Sequence, residues 1–123
     1  MDIDKITERI IGAAMKVHSA LGPGLLESAY QACLIRELEK QELVVESEVV
    51  LPVVYDDETI DVGSRMDLLV ENRVVVELKA VDKVLPIHEA QLITYLKLSG
   101  KKVGLLINFN VLHLRDGITR RIN

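Results

Sequence analysis

The sequence predicts a mixed α/β (α+β) fold, a small mixed β-sheet with an antiparallel meander, flanked by helices in the order ααβββαβ(β). Three observations predict it. Apolar residues in the first forty positions recur at three- and four-residue spacing, the period of a helix. From Val45 to Ala80 the period drops to two, in runs separated by short polar turns. A further helical stretch then leads into a short apolar run, Lys102 to Asn108, that reads as a buried strand. Helices laid on one small sheet bury both partners' apolar faces.

The elements follow in order. Ile3, Ile6, Ile10, Ala13, Ala14, Val17 and Leu21 form one stripe of a first helix, with Asp4, Lys5, Glu8, Arg9 and Lys16 largely off it. Gly22-Pro23-Gly24 breaks the helix. A second helix is expected from about Leu25 to Gln41, with Leu26, Ala29, Tyr30, Cys33, Leu34 and Leu38 on its apolar face. Val45 to Val54 reads as a strand interrupted by Pro52, which suggests an edge or a bulge. Asp56-Asp57-Glu58 is a turn, Ile60 to Val70 the next strand, Glu71-Asn72-Arg73 a short turn, and Val74 to Ala80 a third strand. Helix returns from about Ile87 to Ser99 and stops at Gly100. A last strand falls at Val111 to Leu114 or at Ile118 to Ile122.

Composition bounds the function. A chain of 123 residues is expected to form one domain, and 49% apolar residues suffice for a core that is aliphatic, because aromatics are 3%. The net charge of -4 counts against a large non-specific nucleic-acid footprint but not against a local one. Acidic metal ligands lower the net charge by themselves. One cysteine, Cys33, allows no intrachain disulfide and suits a reducing compartment. The first ten residues lack a signal-peptide apolar stretch, and no run approaches a membrane span. A soluble cytoplasmic protein is expected.

The chemistry-bearing residues lie on one hairpin. If its loop is Glu71-Asn72-Arg73, Val70 pairs with Val74, and counting back sets Asp67 opposite Glu77. Facing residues have Cβ atoms about 4.5–5.5 Å apart, so two carboxylates there repel unless something positive lies between them. Alternation puts Glu77 and Lys79 on one face, and Arg65 on the face of Asp67. Such charges on an apolar strand are costly without partners. Two readings fit: a divalent-metal site, or a charged sheet face in which Asp67 pairs with Lys79.

Four short motifs extend this pattern. Gly24, Glu27 and Tyr30 make a Gly-x-x-Glu-x-x-Tyr run opening a helix, followed by Arg65-Met66-Asp67, Glu77-Leu78-Lys79 and Gln91 to Tyr95. In this order they resemble the bacterial and archaeal GxxExxY family, placed in the PD-(D/E)xK nuclease superfamily with a restriction-endonuclease-like fold. The likeness runs from the first helix to the Leu105 to Phe109 strand. It implies that Asp67, Glu77, the Leu78 backbone carbonyl and Glu27 hold Mg²⁺, with Mn²⁺ as a substitute. Lys79 matches the catalytic lysine. Gln91 and Tyr95 match a Gln-x-x-x-Tyr motif that orients substrate and active site, and positions four apart share one helix face. Arg65 is a candidate phosphate contact. Met66 stands where the superfamily's name has proline.

Each residue also has a plainer reading. Glu27 suits any first helical turn. Tyr30 and Tyr95 suit the edge of a core with the hydroxyl in water. Gln91 suits a surface, Gly24 a helix entry, and Arg65 an ion pair. His18, His88 and His113 have no metal-ligand spacing and read as structural or surface. Lys97, Lys101, Lys102, Arg115, Arg120 and Arg121 bias the C-terminal part to basic, as a phosphate-contacting patch or a solvated surface.

The function implied is a Mg²⁺-dependent nuclease acting on DNA before RNA, with no membrane association. A homodimer or a larger protein partner would help a small domain grip substrate. The alternative is a non-catalytic interaction module that keeps the fold. A nucleotide-binding regulator is weaker, since Gly22-Pro23-Gly24 lacks phosphate-loop spacing.

Overall fold

A computed structural model describes residues 1–60 and 63–123. Helix α1 covers Ile3–Leu21. The Asp2 carboxylate caps it, accepting from the Lys5 N–H at 2.8 Å, and Gly22 ends it at φ 69°, a conformation that costs glycine little. Helix α2 covers Glu27–Lys40, two residues shorter at its start than expected, because Leu26 is still extended. Helix α3 covers Pro86–Ser99, with proline in its first turn and Gly100 left-handed at its end.

Among the described residues the main sheet has five strands in the order β1-β4-β5-β6-β7, beside a small β2-β3 hairpin. Their spans are β1 Val45–Val50, β2 Val53–Tyr55, β3 Glu58–Ile60, β4 Arg65–Val70, β5 Val74–Lys79, β6 Val103–Asn108 and β7 Ile118–Ile122. The expected strand Val45 to Val54 is thus two strands, parted at Leu51-Pro52, where proline has no N–H to give a ladder. The expected Ile60 to Val70 strand includes residues 61 and 62, which lie outside the described residues. Of the two places offered for the last strand, Ile118 to Ile122 is the right one, and Leu114–Gly117 is a 3-10 turn.

Strands β1, β4 and β5 form the expected antiparallel meander, β6 joins β5 in parallel through α3, and β7 closes the far edge antiparallel. Helices α1 and α2 pack on one sheet face with Leu68, Val70, Val74, Val76 and Leu78. On the other face α3 packs through Leu92, Tyr95 and Leu96 on Leu69, Val75 and Leu106. Gly104 permits this close approach, since a Cβ there would lie 2.7 Å from the Leu92 side chain. Strand β6 is buried at every position, which explains its unbroken apolar run.

The sheet positions the candidate residues at one end. The start of β4, the ends of β1, β5 and β6, and the start of α2 meet there.

Candidate active site

The β4–β5 register is the one the turn length implies, Val70 on Val74, Leu69 on Val75 and Leu68 on Val76. The next step would pair Asp67 with Glu77. Here side chains replace the ladder. The Asp67 N–H donates to Glu77 Oε2 at 2.8 Å, and the Leu78 N–H donates to Asp67 Oδ2 at 2.8 Å. Each acid is locked by a backbone amide of the opposite strand. An amide–carboxylate bond is charge-assisted, which offsets part of the cost of burial.

That cost is large. Glu77 is 3% exposed. Burial, then the charge of Asp67, push its pKa up to about 8 against the opposing pull of the Asp67 amide and Lys79. Burial raises Asp67 too, with Glu48 adding to it, while the Leu78 amide and Lys79 pull the other way. Glu27, the first residue of α2 and half-buried, is raised by burial and by Asp67. Each acid thus feels at least one of the others. Lys79 ends β5, half-buried, and its carbonyl accepts from the Phe109 N–H at 2.9 Å. Among the described residues Lys79 forms no ion pair, so the Asp67–Lys79 pair of the plainer reading is not made.

Glu48 went unsuspected. It faces Asp67 across β1–β4, between the pairs Ser47–Leu68 and Val49–Met66. Its φ is 52°, a left-handed backbone inside a strand, and Gln31 donates to its Oε1 at 3.0 Å. The step also breaks β4's alternation. Met66 packs with the α3-side cluster and Leu68 with the α1/α2 side. Alternation therefore no longer ties Arg65 to the face of Asp67, which corrects that expectation; Arg65 is exposed and unpaired among the described residues. In the sequence nothing sets Glu48 apart from Glu46; only its place opposite Asp67 in the β1–β4 register points to it.

Two further groups hold the site's edges. Tyr30 is fully buried, not at a wet edge as expected. Its hydroxyl donates to the Gly22 carbonyl at 2.5 Å and accepts from the Leu25 N–H at 3.1 Å, which folds the loop before Glu27. Gly24 sits in that loop at φ 103°, where other residues are strained. The Tyr30 ring stacks on Phe109, centroids 4.5 Å apart. Asn108, level with Lys79 in the β5–β6 ladder, is buried and bonds both the N–H and the C=O of Val81. It secures the chain just past Lys79. Neither Phe109 nor Asn108 stands out from the apolar run in sequence.

On α3, Gln91 is half-buried, and Tyr95 is buried in the cluster of Leu69 and Met66, the residue before Asp67. Their side chains make no hydrogen bond with the acids among the described residues. His18 is buried against Val111, and His88 accepts the Leu85 N–H, both structural roles. No three His, Cys, Asp or Glu side chains among the described residues close on one point tightly enough to hold an ion by themselves. A cation at this end would therefore need carbonyl and water oxygens beside two carboxylates, a supply usual for Mg²⁺.

A family model described as the PD-(D/E)XK nuclease superfamily matches residues 4–121. Searches of curated proteins and of solved structures return no match.

Proposed function

Because this chain belongs to the PD-(D/E)XK nuclease superfamily, we propose that it is a Mg²⁺-dependent nuclease that hydrolyses phosphodiester bonds of DNA, or less readily RNA. Within the superfamily its Gly24, Glu27 and Tyr30 resemble the motif of the GxxExxY branch, which supports that finer assignment. The observation that carries the reading is the Asp67–Glu77 interlock. It gathers a buried and a half-buried acid where no cation of the described chain pairs with them.

The donor set fits a hard divalent ion, since all its atoms are oxygens. The amide bonds use Asp67 Oδ2 and Glu77 Oε2, which leaves Oδ1 and Oε1 as donors. The Leu78 carbonyl supplies a third, and Glu27 a fourth directly or through water. Such an ion brings positive charge to the phosphoryl oxygens and makes water a better nucleophile at neutral pH. Lys79 orients the attacking water and offsets negative charge as the phosphoryl group is attacked. Gln91 and Tyr95 steady the substrate and the α3 side of the site, and Arg65 contacts a phosphate. The chain works in the cytoplasm, and a second copy or a larger partner extends its hold on the nucleic acid.

A second reading has one observation in its favour. The backbone amides already satisfy one oxygen of each acid, so the hairpin closes without an ion, as a non-catalytic interaction module requires. One experiment separates the two. Thermal melting is measured with Mg²⁺ or Mn²⁺ against EDTA, and cleavage of single- and double-stranded DNA and RNA is assayed for the parent and Lys79→Ala. The nuclease reading expects metal to raise the melting midpoint of both proteins and Lys79→Ala to lower cleavage by about 10²- to 10³-fold. Metal stabilisation without Lys79-dependent cleavage on any substrate supports the module. No response to metal sinks the site.

A further inference from the structure

We propose that the cleft between the α1–α2 loop and the segment Leu112 to Arg115 is a substrate-strand channel, in which Arg115 and His113 hold phosphates of single-stranded nucleic acid next to the acids. The inference deepens the nuclease reading and rests on it. The cleft has a volume of about 440 Å³, lined among others by His18, Ser19, Pro23, Leu112, His113 and Arg115. That is a size that accepts a small ligand or a nucleotide-sized piece of a larger one, roughly 300–1,000 Å³.

Its charge selects the occupant. The chain carries a net charge of -4, yet among the described residues no carboxylate lines this cleft. Arg115 and His113 are exposed, and among the described residues neither side chain makes a hydrogen bond or ion pair. A guanidinium with all its donors open suits the paired oxygens of a phosphate. Beside them in the lining is Leu112, 82% exposed. A guanidinium and an imidazole beside exposed apolar surface match a nucleotide chain, which offers phosphates and base faces in turn.

Both walls are built rather than loose. His18 is buried, and its Nε2 lies 2.7 Å from the Val111 carbonyl. A carbonyl can only accept, so that nitrogen carries the hydrogen and fastens the wall to α1. The opposite wall, at Gly22 and Pro23, is held by the Tyr30 hydroxyl. Each wall joins, along the chain, an element that carries a residue of the site. Pro23 lies four residues before Glu27, and the Leu112 segment leaves β6 at Asn108, level with Lys79.

A rival basic cleft lies at Asn72, Arg73, Lys101 and Lys102, at the opposite end of β5. From Val74 to Lys79 is five steps, roughly 17 Å at about 3.3 Å per residue. There Arg73 already donates to the Met1 carbonyl and Lys101 to Asn72. That cleft is both distant and engaged, which makes it the control.

The test follows a labelled single-stranded DNA oligonucleotide by fluorescence anisotropy, on the full chain in the Lys79→Ala background so that no probe is consumed. Adding Arg115→Ala is expected to weaken binding roughly three- to tenfold and to reduce the slope of log affinity against log salt by about 0.7, one phosphate contact on a single strand. Leu112→Ala is expected to weaken binding with the slope unchanged. Lys102→Ala removes the same charge at the far cleft and is expected to change neither. Equal losses from Arg115→Ala and Lys102→Ala would mean diffuse attraction and overturn the channel. Unchanged binding in Arg115→Ala would also overturn it, yet leave the nuclease reading standing. Arg115→Ala that affects only a protein partner's association overturns it in favour of a protein-docking surface. A Lys79→Ala chain that binds no nucleic acid at all defeats both readings.

Discussion

The two ends of the β4–β5 hairpin are made from the same strands and solve opposite problems. At the turn end, Val70 faces Val74, both fully buried, and the backbone pairs with itself. At the other end, the ladder stops after Leu68–Val76, and the amides of Asp67 and Leu78 turn to carboxylates. The turn end is stable because apolar surface leaves water, worth about 25 cal/mol for each Å². The acid end spends some of that stability. It buries Glu77 beside Asp67, and it holds Glu48 in a left-handed backbone. The turn end has left-handed residues of its own, Glu71 at φ 53° and Asn72 at φ 55°, but there they close a turn, whereas Glu48 lies inside a strand.

The largest effect should come from breaking the economical end. Leu68 is fully buried against α1 and α2, one residue from Asp67. Leu68→Ala is expected to lower unfolding free energy by about 2–5 kcal/mol through lost burial and the cavity left behind. Chemical denaturation checks the loss. If the two ends are separable, the rise in melting midpoint with Mg²⁺ persists in the variant; its disappearance would mean that the acids depend on the apolar packing beneath them.

The turn end was readable from sequence because it obeys local rules. A three-residue turn sets Val70 on Val74, and the count back to Asp67 and Glu77 follows. The helices were readable from their stripes, and the buried β6 from its apolar run. What escaped has non-local causes. Tyr30 was expected at a wet edge. Its full burial depends on a stack with Phe109, seventy-nine positions away, and on a loop that closes over its hydroxyl. The part played by Asn108 depends on the parallel pairing of β6 with β5, which no turn between them announces. Glu48 joins the acids through a positive φ, and nothing in the run Val45 to Val50 distinguishes it from Glu46. The interlock itself replaces two ladder bonds with side-chain bonds, a choice that alternation cannot express.

A middle-sized effect concerns protons. Glu77 has an ordinary value of 4.5 when unfolded and is raised to about 8 in the fold. Between these values the unfolded chain gives up the proton while the folded chain keeps it, so stability contributed by the neutral form is present below pH 4.5 and lost as pH rises through about 8. Metal-free protein should therefore lose stability from pH 5 to pH 8, on the order of 3 kcal/mol. Glu77→Gln, which cannot ionise, should flatten this slope. Mg²⁺ should oppose it in the parent, most strongly at the alkaline end, where the carboxylate is the form an ion prefers. Melting midpoints across pH, with EDTA and with Mg²⁺, decide the matter. A parent whose metal-free stability climbs over that range would show that Glu77 is already charged and neutralised from within the chain.

The smallest effect sharpens the comparison most, because its sign is unusual. Glu48 is exposed, so replacing it opens no cavity. Its left-handed backbone costs a non-glycine residue about 1 kcal/mol, and its charge stands opposite Asp67. Against this, the variant gives up only an exposed bond from Gln31, worth little in water. Glu48→Gly should then raise the metal-free denaturation midpoint, by an amount equivalent to about 1 kcal/mol, where a glycine inside an ordinary strand would lower it. The same change made at Glu46, two residues before the left-handed Glu48, should destabilise. If Glu48→Gly also lowers the stability gained from Mg²⁺, the conformation is held in place for the ion's sake. Destabilisation by Glu48→Gly without metal would show instead that the carboxylate steadies β1 by more than its left-handed backbone costs.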